Sequence, residues 1–141
     1  MMRPLLVAWL AFGSGIGFGQ VIDSVHVFKK LPTAAYTSAS ANALAWKLHQ
    51  AKAEHVTLKG AEIATVREGM AQYKPVPHRS GPIPGLQHLA IVFSRGRPTA
   101  LGLTGDLDRL INFTARSEYR ISSMSEHLKV RAILLELMML H

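Results

Sequence analysis

Cysteine is absent from the 141 residues of this chain. Disulfides, thiolate nucleophiles and zinc sites built on cysteine are therefore excluded, and no lipid can be attached through a cysteine side chain. Without disulfides the fold depends on a hydrophobic core, and a chain of this length can bury one. The length also fits a single domain.

Acidic residues are few, because nine Asp and Glu accompany sixteen Lys and Arg and leave a formal net charge of +7. A basic balance favours anionic partners such as nucleic acid, anionic lipid or an acidic polymer of the cell envelope. The basic residues are scattered rather than clustered, so an equally simple interpretation is a solvated basic surface that keeps the protein soluble.

Motifs of the common enzyme classes are also missing. The chain has no G-x-S-x-G nucleophile elbow and no phosphate-binding loop, and its seven histidines form no metal-binding pair on a helix or strand. Four glycines at positions 13, 15, 17 and 19 follow an apolar run, but no helical pattern comes after them, as a dinucleotide-binding turn requires. We therefore predict no catalytic residue, no metal site and no cofactor.

The amino-terminal segment resembles a secretory signal peptide. Arg3 and the free amino terminus supply positive charge, residues 5–12 are apolar, and small residues follow, with cleavage expected after Gly15 or Gly19. The apolar run is shorter than a bilayer-spanning helix. We predict that residues 1–19 are a signal peptide and that the protein is periplasmic or secreted. Uncleaved, the same segment would be its membrane anchor.

The strongest strand signal is a β-hairpin over residues 86–104. Its first strand is rich in branched and aromatic side chains on both faces, which predicts a central and covered position. Arg95 and Gly96 form the tight reversal, because glycine readily adopts a positive φ. On the return strand Ala100 and Gly102 present a small face that a helix or another backbone can approach closely.

Residues 20–141 are predicted to form one α+β domain, with a small, mainly antiparallel sheet centred on this hairpin and about three flanking helices. Apolar spacing and capping signals at Asp106 and at Ser123 with Glu126 predict these helices at residues 39–54, 107–115 and 124–140. Further segments are expected to be an edge strand at 21–28, a short strand or frayed helix end at 56–58 and a half-buried strand at 117–122. Residues 61–73 fit a helix, which we favour, although residues 63–66 also fit a strand.

The most unusual loop is KPVPHRSGPIPG, in which four prolines hold the chain extended. Lys74, His78 and Arg79 lie on this stiff frame, and a stiff loop loses little entropy on binding. Arg95 and Arg97 add basic side chains at the hairpin turn. We predict these five residues as contact sites for an anion. The alternative for the loop is a plain crossover that delivers the chain to the hairpin.

Three functions remain open at the level of sequence. The leading hypothesis is an exported, non-catalytic domain that binds a protein partner or an anionic envelope component. The second is a small hydrolase or metal-dependent enzyme in which His78, His88 and Asp106 meet only in the fold. The third is an intracellular nucleic-acid-binding protein, against which the export signal argues. The apolar carboxyl-terminal helix is expected to dock or to mediate homo-oligomerisation.

Overall fold

A computed structural model describes residues 21–139 of the chain. Over those residues the fold is α+β, with three helices and a seven-stranded antiparallel sheet, which confirms the predicted fold class. The predicted signal peptide lies outside the described residues. None of the helices between residues 21 and 139 combines the length and the apolar character needed to cross a bilayer.

The predicted hairpin forms the centre of the sheet. In chain order the elements are β1 (Ser24–Phe28), α1 (Ser38–Gln50), β2 (His55–Lys59), α2 (Glu62–Met70), β3 (Lys74–Val76), β4 (Leu86–Ser94), β5 (Arg97–Thr104), β6 (Arg109–Asn112), β7 (Ser117–Arg120) and α3 (Met124–Met139). The strands lie in the order β2-β1-β4-β5-β6-β7-β3. Strands β4 and β5 are thus flanked on both sides, as their apolar faces predict.

The turn of the hairpin has the geometry that the sequence indicates. Arg95 and Gly96 both have positive φ, of 52° and 77°. Two such residues in a two-residue loop form the turn whose twist matches that of the flanking strands. The pairing continues from Ser94 opposite Arg97 down to Leu86 opposite Thr104, with one irregularity just after Leu86.

The sheet carries an apolar cluster on each face. On one face Ala100 of β5 packs with Ala41 and Ala45 of α1, and all three are fully buried. Their small side chains let α1 approach the sheet closely, as predicted. On the opposite face Leu101 packs in a cluster with Ile133 of α3 and with side chains of α2. The molecule therefore has three layers, with the sheet between α1 and the α2–α3 pair.

Gly102 allows a second close approach, that of the Phe113 ring to strand β5. A Cβ atom at this position would lie 2.8 Å from ring carbons of Phe113, which belongs to the same apolar cluster as α1. A distance below 3 Å between carbon atoms is strongly repulsive, so only glycine fits here without displacing the ring.

One predicted helix is a strand. Residues 107–115 form a turn and β6, whose Leu110 and Ile111 are buried on opposite faces of the sheet. Asp106 does not cap a helix but holds the preceding turn, since its carboxylate accepts a hydrogen bond of 2.6 Å from Thr104 Oγ1. Pairing of β6 with both β5 and β7 satisfies its backbone, and this tertiary pairing outweighs the local helical spacing.

The prediction that the first strand lies at an edge is also wrong. Strand β1 pairs with β2 on one side and with β4 on the other. The edges are β2 and β3, and β3 is formed by the first residues of the proline-rich loop. Pro75 is compatible with β3 because an edge strand can dispense with one N–H donor.

Capping decides where two of the helices begin. Helix α1 has Thr37 as its N-cap: the Ser40 N–H donates to Thr37 Oγ1 at 3.1 Å, and the Thr37 N–H donates to Ser40 Oγ at 2.9 Å. At α3 the predicted cap is confirmed, because the Glu126 N–H donates to Ser123 Oγ at 3.2 Å. The helices predicted at 39–54, 61–73 and 124–140 are thus confirmed within a few residues.

Candidate functional site

A cavity of about 170 Å³ lies between the sheet and helices α2 and α3. Its wall is made of side chains from β1, β2, β4, β5 and β6 on one side and from the two helices on the other. Nearly all of these side chains are aliphatic. Among the described residues that line it, Tyr73 and His88 carry the only side-chain N–H or O–H groups.

The volume of the cavity is large for the interior of a small domain. Protein interiors are close-packed, with few voids larger than a water molecule. A cavity of about 150 Å³ lined by apolar side chains stays dry and binds benzene. A fully enclosed gap costs about 24 cal/mol per Å³ of packing, and because this cavity is partly open, about 4 kcal/mol is an upper bound on its cost. A ligand with an apolar chain recovers part of this free energy when it fills the space.

The mouth of the cavity is marked by the wall residues that are only half-buried. On the sheet these include Val27, His88 and Leu103, and on α3 they are Leu134 and Met138. Most of the remaining wall residues are buried. The cavity therefore opens between β1, β4 and β5 and the carboxyl-terminal half of α3.

Tyr73 contributes a satisfied polar group at the inner wall. Its hydroxyl donates a hydrogen bond of 2.5 Å to the carbonyl oxygen of Leu107. Burial, together with the nearby carboxylates of Asp108 and Asp106, raises the pKa of the Tyr73 phenol above its ordinary value. The phenol is therefore neutral at physiological pH and adds no charge to the wall.

His88 is the polar group at the mouth. Within residues 21–139 its ring forms no hydrogen bond with another side chain or with the backbone, and the ring is half-buried. Burial lowers the pKa of His88, and the Lys30 ammonium lowers it further. A hydrogen bond of 2.8 Å from the Leu31 N–H to the Gln87 carbonyl holds the segment containing Lys30 beside the start of β4. The neutral imidazole can donate one hydrogen bond and accept another.

The five predicted contact residues lie in two separate places. Lys74, His78 and Arg79 belong to β3 and the loop after it, whereas Arg95 and Arg97 lie at the turn between β4 and β5. Strand β3 is three strand spacings from β5 in the sheet, roughly 14 Å. The sequence gives no sign of this separation, because it does not reveal the order of the strands.

Part of the proline-rich loop is engaged within the molecule. Lys74 forms an ion pair with Glu126 at the start of α3, with an N–O distance of 3.7 Å. The Nδ1 atom of His78 is buried and has no hydrogen-bond partner within the described chain. Arg79 is exposed, but its backbone N–H hydrogen-bonds to Glu118. The loop therefore has a structural role in covering β7.

Glu118 is buried beneath this loop, so β7 is more covered than the half-buried strand that its alternation predicts. The Glu118 side chain is 1% exposed, and its oxygens accept bonds of 2.9 and 3.0 Å from the Arg109 guanidinium. Arg120 lies 3.6 Å from the same carboxylate. Burial alone would raise the pKa of Glu118, but the hydrogen bonds and charge of Arg109 outweigh it and lower the pKa.

Three histidines gather on the α1 side of the sheet. The rings of His26 and His55 stack with centroids 4.1 Å apart, and Phe93 lies against both His26 and His49. Burial and then the charges of His55 and His49 lower the pKa of His26. Among residues 21–139, however, no group of three or more His, Asp or Glu side chains is arranged to hold a metal ion.

His78, His88 and Asp106, which were predicted to come together in the fold, also form no metal-binding group in the described part of the chain. Asp106 is engaged in its own turn, where it accepts hydrogen bonds from Thr104 and from the backbone N–H of Asp108. His88 instead faces the cavity, which sequence reasoning missed. The apolar alternation of β4 and β5 predicts two covered faces, but no sequence pattern predicts a gap beneath one of them.

Similarity to known proteins does not identify this site. No protein-family model, no curated protein and no solved structure matches the chain.

Proposed function

We propose that this chain is an exported, non-catalytic domain that binds an apolar or amphiphilic component of the cell envelope in the cavity between the sheet and helices α2 and α3. The cavity is the observation that carries the proposal. Sites for small apolar ligands are concave and mostly aliphatic, with a few placed polar groups. The wall described above has this composition, with one polar group at the mouth. The export part of the proposal rests on the amino-terminal sequence alone.

The shape of the site favours a small molecule over a protein partner. A stable protein interface buries about 800 Å² on each side. The cavity is instead a partly enclosed space of about 170 Å³, which accommodates a single chain or ring. An apolar chain of about eight carbon atoms would bind there with an affinity in the micromolar to millimolar range.

Titration with octan-1-ol tests this proposal, with NMR of the methyl groups as the readout. We expect saturable shifts at the cavity wall, at Val27, Leu103 and Leu134, because the alkyl chain would replace water or void beside them. Methyl signals of the apolar cluster on the α1 side, such as that of Ile91, should move little.

Two leucine variants provide the matched control. Ala90→Leu adds three carbon atoms at a half-buried wall position on β4, so it should fill the cavity and abolish the shifts. Ala64→Leu adds the same atoms at an exposed position on α2 and should leave binding unchanged. Should Ala90→Leu fail to fold, Gly69→Ala narrows the same wall, and its added Cβ meets Ile133 at an ordinary 3.5 Å. An absence of saturable shifts in the unaltered protein, or equal binding by Ala90→Leu, would refute the proposal.

A further inference from the structure

We infer that the ligand of the cavity is a medium-chain aliphatic carboxylate, with its alkyl chain in the cavity and its carboxylate at the mouth beside His88 and Lys30. This inference rests on the proposed binding function and names the chemical class of the ligand.

The length of the alkyl chain follows from the volume. A cavity of about 170 Å³ is slightly larger than the apolar cavity of about 150 Å³ that holds benzene, so it has room for about six to eight carbon atoms. A longer chain would have to extend through the mouth into water. The inner wall is aliphatic except for the Tyr73 hydroxyl, which already donates to the Leu107 carbonyl. The polar end of the ligand therefore has to lie at the mouth, where it stays hydrated.

The charge at the mouth favours an anion. Lys30 is exposed and forms no ion pair with any residue between 21 and 139. Its neighbour Lys29, by contrast, is paired with Glu54 at 3.6 Å. The hydrogen bond of 2.8 Å from the Leu31 N–H to the Gln87 carbonyl holds Lys30 next to the part of β4 that carries His88, so its positive charge is available to a group bound at the mouth. One such charge matches a ligand with one negative charge.

The carboxyl-terminal end of α3 brings a negative partial charge near the mouth, and it is smaller than the charge of Lys30. Leu134, Leu137 and Met138 line the cavity, so the carboxyl-terminal end of α3 lies nearby. The dipole of a helix places about half a negative elementary charge at that end, and the effect fades within a turn. The full charge of the Lys30 ammonium exceeds it.

His88 supplies the directional contact. Its ring lines the mouth and is not used in a hydrogen bond with any residue of the described chain. Hydrogen bonds in which one partner is charged are shorter and stronger than neutral ones. An imidazole N–H that donates to a carboxylate oxygen would hold the ligand headgroup between β4 and α3.

A matched pair of probes separates this inference from the proposed function. Octanoate and octan-1-ol have the same number of carbon atoms, and at pH 7.5 only octanoate is charged. We expect octanoate to bind about fivefold more tightly in low salt, and we expect 1 M salt to reduce the difference because it screens exposed charges. Dissociation constants come from the same methyl titration.

Lysine variants then locate the charge. Lys30→Met keeps the length of the side chain and removes its charge, so it should weaken octanoate binding about two- to fivefold and leave octan-1-ol unchanged. Lys29→Met is the control and should change neither. His88→Leu should weaken octanoate binding, and His88→Gln should restore part of the loss because its amide can still donate a hydrogen bond.

The outcomes distinguish the two proposals. Failure of both probes to bind would overturn the proposed function and the inference with it. Equal binding of both probes, or equal effects of Lys30→Met and Lys29→Met, would overturn the inference and leave the apolar site in place.

Discussion

Glu118 is a buried carboxylate surrounded by positively charged and backbone partners. Its carboxylate is 1% exposed and is held by the Arg109 guanidinium, the backbone N–H of Arg79 and the nearby Arg120. A buried carboxylate without these partners would be costly, since charges lose their hydration on burial. The proline-rich loop therefore completes a polar site within the fold, even though its own side chains are basic and partly exposed.

Glu118→Gln is expected to lower the free energy of unfolding by about 3 kcal/mol at pH 7, because it leaves the Arg109 charge buried without its counterion. Urea denaturation provides the measurement. The matched control is Glu68→Gln, which removes one partner of an exposed ion pair with Lys129 and should cost less than about 1 kcal/mol. Equal losses in the two variants would mean that the Arg109–Glu118 pair is as weak as a surface pair.

The same substitution should change the dependence of stability on pH. The pKa of Glu118 is lowered in the folded protein from its ordinary value of 4.5. The stabilisation by the carboxylate is therefore fully present above pH 4.5 and is lost as the pH falls through the folded pKa. The difference between Glu118→Gln and the unaltered protein should shrink below pH 4.5. A constant difference down to pH 2 would contradict the assignment.

Among the elements, the central hairpin is the one whose turn is set most directly by the residue types at the turn itself. Its turn places Arg95 in the left-handed region, at a φ of 52°, where a residue with a Cβ is strained. Gly96 has a φ of 77°, and a Cβ added there would meet no other atom within 4 Å. The strain of a larger residue at position 96 would therefore come from the backbone alone.

Arg95→Asn should raise the free energy of unfolding by about 0.5 to 1 kcal/mol, because asparagine followed by glycine is the preferred pair for this turn. Gly96→Ala, the opposing control, should lower it by about 1 kcal/mol through backbone strain. Urea midpoints measure both changes. Destabilisation by Arg95→Asn would indicate that the Arg95 side chain has a stabilising contact that outweighs the strain.

Helix α3 has a second, outward face. Leu128 and Leu135 are 55% and 57% exposed, although the opposite side of the helix is packed on the sheet. Exposed leucines occur singly on many soluble proteins. The expectation that this helix mediates homo-oligomerisation stays a prediction, as does the anion contact expected of Lys74, His78, Arg79, Arg95 and Arg97.

For the molecule as a whole, export is the prediction with the widest consequence. We expect the protein to be found outside the cytoplasm, with the intact mass of a chain that begins at Ile16 or Gln20, because signal peptidase cleaves after small residues. Fractionation of the native host followed by intact-mass measurement gives the answer. A full-length mass in the cytoplasm would contradict export, remove the envelope from the proposed function and favour an intracellular ligand.

The features that the sequence determined by itself are those that depend on local interactions. The hairpin turn at Arg95–Gly96 and the start of α3 at Ser123 each depend on residue type and on neighbours a few positions away. Alternation and helical spacing then identify most of the strands and helices, and with them the α+β class, although helical spacing assigns residues 107–115 wrongly. These signals act before distant parts of the chain meet, so they can be read in order along the sequence.

Tertiary structure alone decided the features that depend on distant pairing. β1 became an interior strand, residues 109–112 became β6, and Glu118 became buried, in each case because another segment supplied the hydrogen bonds or the cover. The cavity has the same origin, since its size is the space left when α2 and α3 pack on the sheet. Such a gap depends on side chains from seven separate elements at once, and no local pattern encodes it.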